Sequence, residues 1–159
     1  MGKRFFSSSP PSLAPSLAAI SVLSRPSRPA AGSRRQGVRR ARDYHLLLDE
    51  QSEAIFATTD QLAERVRKLG GVTLRSIGHV AKLQTIQDNN EDYVPPREML
   101  RELMEDNKHM AAALRKAHKI ADDNEDRGTA QLLELFIDET ERRTWFLFEA
   151  SRQEGANAA

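Results

Sequence analysis

Between Tyr44 and Leu69 the chain runs for 26 residues without glycine or proline, and Leu48, Ile55, Leu62, Val66 and Leu69 recur along it at helical spacing. At 1.5 Å per residue this run predicts one helix about 39 Å long. Gly70-Gly71 supplies its stop, and Arg67 and Lys68 lie in the last turn, where cations complement the helix dipole.

Two further long helices follow from the same reasoning. Pro95-Pro96 opens one, in which Leu100, Leu103, Asn107, Met110, Leu114, Ala117 and Ala121 keep a 3–4 spacing, so that one face is apolar apart from Asn107. Asp122-Asp123-Asn124-Glu125-Asp126 reads as a turn. The last helix is expected from about Thr129 to Arg152, with Leu133, Phe136, Ile137, Leu147 and Phe148 on its inner side. The segment from Leu74 to Leu83 is a shorter, weaker helical run, and Asp88 to Asp92 is a polar loop. No β pattern of comparable strength competes. The expected fold class is all-α, an antiparallel bundle of three long helices plus one short one. It has one long helix fewer than a four-helix bundle.

The 159 residues suit a single domain with a modest core and contain no cysteine. Disulfides, thiolate metal sites, iron–sulfur clusters and cysteine nucleophiles are thereby excluded, so any metal must be held by carboxylate and imidazole. No stretch approaches the ~20 apolar residues of a membrane span; the best, Leu13 to Leu23, is interrupted by Pro15, Ser16 and Ser21.

The net charge of +1 conceals a partition. Residues 1–42 hold nine Lys or Arg and no Asp or Glu, whereas residues 43–159 hold 15 basic and 23 acidic residues, a net of −8. With five of the seven prolines and nine serines, residues 1–42 are expected to form a disordered tail, and residues 43–159 the folded domain. The tail's composition fits an organelle leader. It also fits a cationic arm whose Arg34, Arg35, Arg39, Arg40 and Arg42 meet nucleic-acid phosphates without sequence preference. A secretory signal fits less well, and GC-rich DNA translated in a wrong frame or from a wrong start fits too.

Four potential metal ligands lie on the first long helix: His45, Asp49, Asp60 and Glu64. At about 100° per residue they sit at roughly 0°, 40°, 60° and 100°, a single stripe, while Leu48, Ile55, Leu62 and Val66 fall near 260–300°. His45 and Asp49 are one turn apart, as are Asp60 and Glu64, so each pair can grip one ion. Between the pairs, however, eleven residues span about 16 Å, too far for one metal. One copy of the helix cannot close a site. Two copies packed antiparallel across a two-fold axis can, forming two equivalent sites. The plain alternative is that acids at i,i+4 only solvate an exposed face. Phe56, near 20° on the same stripe, argues for burial in an interface.

The run HLLLDEQSEAIFATTDQLAERVRKLGG, His45 to Gly71, resembles the second helix of the Dps family, dodecameric miniferritins that oxidise and store iron and in many members bind DNA. It carries the family's His-x3-Asp segment and then its Asp-x3-Glu-Arg signature, DQLAER here. The resemblance continues through the proline-initiated helix, the acidic turn and TWFLFEA, over about residues 44–152. It implies that His45, Asp49, Asp60 and Glu64 are ferroxidase ligands for Fe(II)/Fe(III) at a dimer interface. It further implies hydrogen peroxide as oxidant, a dodecameric homo-oligomer, and a cytoplasmic, nucleoid-associated protein. Asp122, Asp123 and Asp126 would line iron-entry pores, although the same acids can simply cap the next helix.

The chain departs from the family at Thr59, where an apolar residue is usual, and at Thr73, where a proline is usual. It also lacks the preceding helix with a His-Trp or His-Phe pair that supplies another ferroxidase histidine. His79, His109 and His118 lie downstream and are expected to be surface or core residues. Residues 1–42 are expected to replace the lost helix through a frameshift, a truncation or a wrong start. The runner-up function is a non-catalytic, DNA-binding architectural protein using the basic arm.

Overall fold

The computed structural model describes residues 34–156, with side chains described over 41–152. Four helices follow in order: α1 (Arg34–Lys68), α2 (Ile77–Leu83), α3 (Pro96–Asp123) and α4 (Arg127–Ala156). No strand occurs among the described residues. The expected bundle of three long helices and one short one is present.

The first helix begins ten residues before the run that marks it in sequence. Residues 34–42, expected in the tail, belong to α1. The physical reason is that no proline follows Pro29 in this stretch, while Arg, Ala and Gln are good helix formers and the single Gly37 costs only about 1 kcal/mol. Whether residues 1–33 form a disordered segment or stand in for a lost helix lies outside the described residues.

At the other end α1 stops as expected. Gly70 adopts φ +79°, a left-handed conformation open to glycine, and Gly71 N–H donates to Val66 O at 2.9 Å. A Cβ on Gly71 would meet Val66 Cγ1 at 2.8 Å. The short α2 starts three residues later than the Leu74 expected, because Ser76 caps it by accepting from His79 N–H at 3.2 Å.

The α3 and α4 helices form the close antiparallel pair. Arg143 of α4 meets Asn107 of α3, and farther along Glu141 meets Arg115 and Glu134 meets His118. The α1 helix lies against them and antiparallel to α4, with Arg65 at the start of α4 and Glu50 3.7 Å from Arg142 farther along. Between α2 and α3 a crossover connection, residues 84–95, is anchored by buried Ile86 and Val94.

All three long helices contribute to the core, which has two apolar clusters. Leu62 packs with Met110, Leu114, Leu133 and Phe136, and Leu48 packs with Leu100, Leu103 and Leu147. Between them in sequence, on all three helices, lie buried Gln51, Thr58, Asn107, Thr140 and Arg143. The guanidinium of Arg143 donates to Asn107 Oδ1 at 3.1 Å and to Thr140 Oγ1 at 2.6 Å. Burial lowers its pKa, Glu139 opposes that shift, and Arg142 adds to it. Phe148, expected inside, is 45% exposed. Adjacent helical residues point about 100° apart, and Leu147 takes the inward position.

Candidate metal centre

From Tyr44 onward α1 has neither glycine nor proline, and it holds His45, Asp49, Asp60 and Glu64 on one outer strip. His45 Nε2 lies 3.4 Å from Asp49 Oδ2, with the two side chains 65% and 50% exposed. These two groups converge within one turn. The second pair, Asp60 and Glu64, is exposed, and Lys68 Nζ approaches Glu64 at 3.0 Å. Phe56 stands between the pairs, 61% exposed to water. A large aromatic is thus held out in water beside four polar side chains, where a solvated face would ordinarily carry a polar residue.

Among the described residues no three His, Asp or Glu side chains come together in a group able to hold a metal ion. Reach along one helix explains this for the α1 stripe, since about 16 Å separates Asp49 from Asp60.

The acids of the turn are arranged differently. Asp126 is the N-cap of α4 and accepts from Thr129 N–H at 3.1 Å, from the Thr129 hydroxyl and from Arg65 Nη2. Burial pushes its carboxyl up, but the Thr129 and Arg65 hydrogen bonds outweigh that and hold its pKa below the ordinary carboxylate value. Arg65 also donates from Nε to Thr129 Oγ1 at 2.9 Å, which ties the end of α1 to the start of α4. Asp122 pairs with Arg127 at 2.7 Å and Asp123 with Lys119 at 2.9 Å, both at the surface.

Of the five arginines assigned to a basic arm, Arg42 is exposed on α1, and the backbone of the other four occupies the first turns of the same helix. Their side chains lie outside the described residues. His118 faces Glu134 at 3.0 Å, His109 is exposed, and His79 buries its Nδ1 without a partner.

Two features escaped the sequence reading. Arg143 carries a charge yet sits in the core. On α3, burial and then Glu102 raise the pKa of Asp106 from 3.8 to about 6, Glu105 adding to the shift and His109 opposing it. The spacing of Glu102, Glu105, Asp106 and His109 was visible. The partial burial of Glu102 and Asp106 beside the crossover connection was not.

The ferritin-like domain model matches residues 39–152. The chain belongs to the ferritin-like family. Within that family its likeness is to the Dps miniferritins. The ferritin-like chain aligns with the Dps structure from Thermosynechococcus elongatus with a TM-score of 0.74 and 24% identity, covering 87% of this chain and 82% of that one. It is 28% identical over 106 residues to "DNA protection during starvation protein 1" of Deinococcus radiodurans, covering 67% of this chain and 51% of that protein. A low-temperature-induced protein of Nostoc sp. (strain PCC 7120) is 31% identical over 107 residues, 67% of this chain. The match spans 60% of that relative's length. No described helix is long and apolar enough to cross a membrane.

Proposed function

We propose that two copies of this ferritin-like chain pack their α1 helices antiparallel across a two-fold axis, and that the two clefts so formed bind and oxidise Fe(II) for storage as Fe(III). The observation that carries the reading is the exposed stripe: two ligand pairs, each within one turn, that a single chain holds about 16 Å apart. In an antiparallel pair, His45 and Asp49 of one copy face Asp60 and Glu64 of the other. Carboxylates are hard ligands suited to both oxidation states, and the borderline imidazole helps retain Fe(II) before the reaction. Phe56 lies in the same contact and excludes water from it.

With hydrogen peroxide as oxidant, two Fe(II) ions each give up one electron, the peroxide O–O bond takes both, and two protons complete two waters. Both electrons pass within one site, so no hydroxyl radical is released. Iron entry falls to Asp122 and Asp123, whose ion pairs with Arg127 and Lys119 are exposed and exchangeable, whereas Asp126 is engaged as a half-buried cap. The larger assembly is a dodecamer, and the cellular setting is a cytoplasmic one near DNA. Arg42 and the four arginines before it supply non-specific phosphate contacts whose strength falls steeply with salt.

Size-exclusion chromatography with iron analysis on the full chain tests the reading. An iron-loaded oligomer that loses both oxidation and iron in Asp60→Ala/Glu64→Ala is the expected result. An iron-free monomer, or oxidation unchanged in that variant, overturns it.

A further inference from the structure

Between the two apolar clusters the core carries a positive charge that the chain does not neutralise. Arg143 is 5% exposed. Its guanidinium donates from Nε to Asn107 Oδ1 and from Nη2 to Thr140 Oγ1, both neutral acceptors, and among the described residues it forms no ion pair. Burial lowers its pKa, yet an arginine keeps its proton in a folded protein, so the charge stays. A buried charge left without a counter-charge is strongly destabilising.

Acids that could supply one are scarce. Residues 1–42 contain neither Asp nor Glu. Glu154 lies eleven residues farther along α4, about 16 Å away. Among the described residues, Glu139 is the one acid that opposes the pKa shift of Arg143; it stands one turn earlier on α4, half-buried, and makes no ion pair with it. On α1, Glu50 pairs instead with Arg142 at 3.7 Å.

That pair sets Gln51 and Arg143, the next residue on each of two antiparallel helices, at one level of the bundle. Leu48 and Leu147 pack together one turn away, and both Gln51 and Arg143 turn inward. Gln51 is 8% exposed, and among the described residues its buried Nε2 has no hydrogen-bond partner. One layer of the core thus holds an unneutralised guanidinium and an amide N–H that nothing accepts. The group that satisfies both is an acceptor with one negative charge, small enough for the interior of a helix bundle. We propose that a monovalent anion of chloride size binds in this layer, held by the Arg143 guanidinium and the Gln51 amide, and fastens α1 to α4 from within. It uses the inner face of α1, opposite the stripe of His45, Asp49, Asp60 and Glu64, and is independent of iron binding there.

Melting the full chain in potassium chloride and in potassium gluconate at equal ionic strength reads the site, because gluconate is too large for a bundle interior. Chloride should raise the thermal midpoint by about 5 °C over gluconate, and the rise should grow with the logarithm of its concentration. In Gln51→Leu this increment should shrink, and in Arg143→Met it should vanish. In Glu139→Gln it should persist or grow, since a carboxylate that repels the anion is gone. Bromide anomalous scattering from crystals of the unmodified chain needs no variant: a peak should lie within hydrogen-bonding distance of Arg143 and Gln51. Equal midpoints in the two salts, an increment that survives in Arg143→Met, or bromide bound only at the surface overturns the site. So does an increment that appears only in Glu139→Gln, which would make Glu139 the counter-charge.

Discussion

The acidic turn between α3 and α4 and the acidic stripe on α1 have similar compositions and opposite bookkeeping. At the turn three of the four acids find a cation or an N–H within the chain: Asp122 has Arg127, Asp123 has Lys119, and Asp126 has Arg65 and the first turn of α4. On the stripe, among the described residues, Asp49 finds only a histidine one turn away, Glu64 an exposed lysine, and Asp60 is left to water. The same residue types are matched inside the chain in one place and left open to water in the other. What separates them is whether the chain itself supplies the partner.

The contrast breaks most visibly through activity. His45→Ala/Asp49→Ala should cut Fe(II) oxidation more than a hundredfold, beyond the ~10–100-fold loss typical of outer-shell partners. Its thermal midpoint should stay close to that of the parent, because exposed ion pairs contribute little. Kinetics and melting on the same preparation check both halves.

Asp126→Ala should behave in the opposite way. It removes a cap and leaves Arg65 unpaired, costing about 1–2 kcal/mol in denaturant unfolding with the iron chemistry intact. Because the pKa of Asp126 is lowered in the folded chain, its stabilisation is present above the ordinary carboxylate range and is lost as acidification passes its lowered value. The variant's melting temperature should fall less steeply with acid than the parent's.

Smaller effects sharpen the comparison. Glu125 holds φ +60° in the turn, a conformation that costs a side-chain-bearing residue about 1 kcal/mol, so Glu125→Gly should recover a comparable amount on unfolding. Lys68→Ala should change stability by less than about 0.5 kcal/mol. It removes the cation competing for Glu64, so Fe(II) affinity by titration calorimetry should rise.

Much of this architecture was legible in the amino-acid order because it depends on local rules. The Gly70-Gly71 stop, the proline start of α3 and its inner face from Leu100 to Ala121 need only a 3.6-residue period and backbone sterics. The early start of α1 was hidden because an arginine-rich stretch suits both a helix and a solvated arm. Phe148 was misplaced because Leu147 and Phe148 compete for one inward position, and packing against Leu48, Leu100 and Leu103 decides it. Arg143 and Asp106 were illegible for a deeper reason. Their burial is imposed by elements distant in sequence, and no spacing on their own helix reports it. The stripe on α1 lies between these cases. Its four polar side chains and their separation can be read directly, while the closure proposed for it depends on a second molecule.

That dependence can be tested by complementation. One chain carries His45→Ala/Asp49→Ala and the other Asp60→Ala/Glu64→Ala; each alone should be inactive toward Fe(II). After co-expression, half of the clefts in each heterodimer would draw intact pairs from both chains, so oxidation should return. A mixture that forms heterodimers and stays inactive would contradict a site shared between two copies of α1.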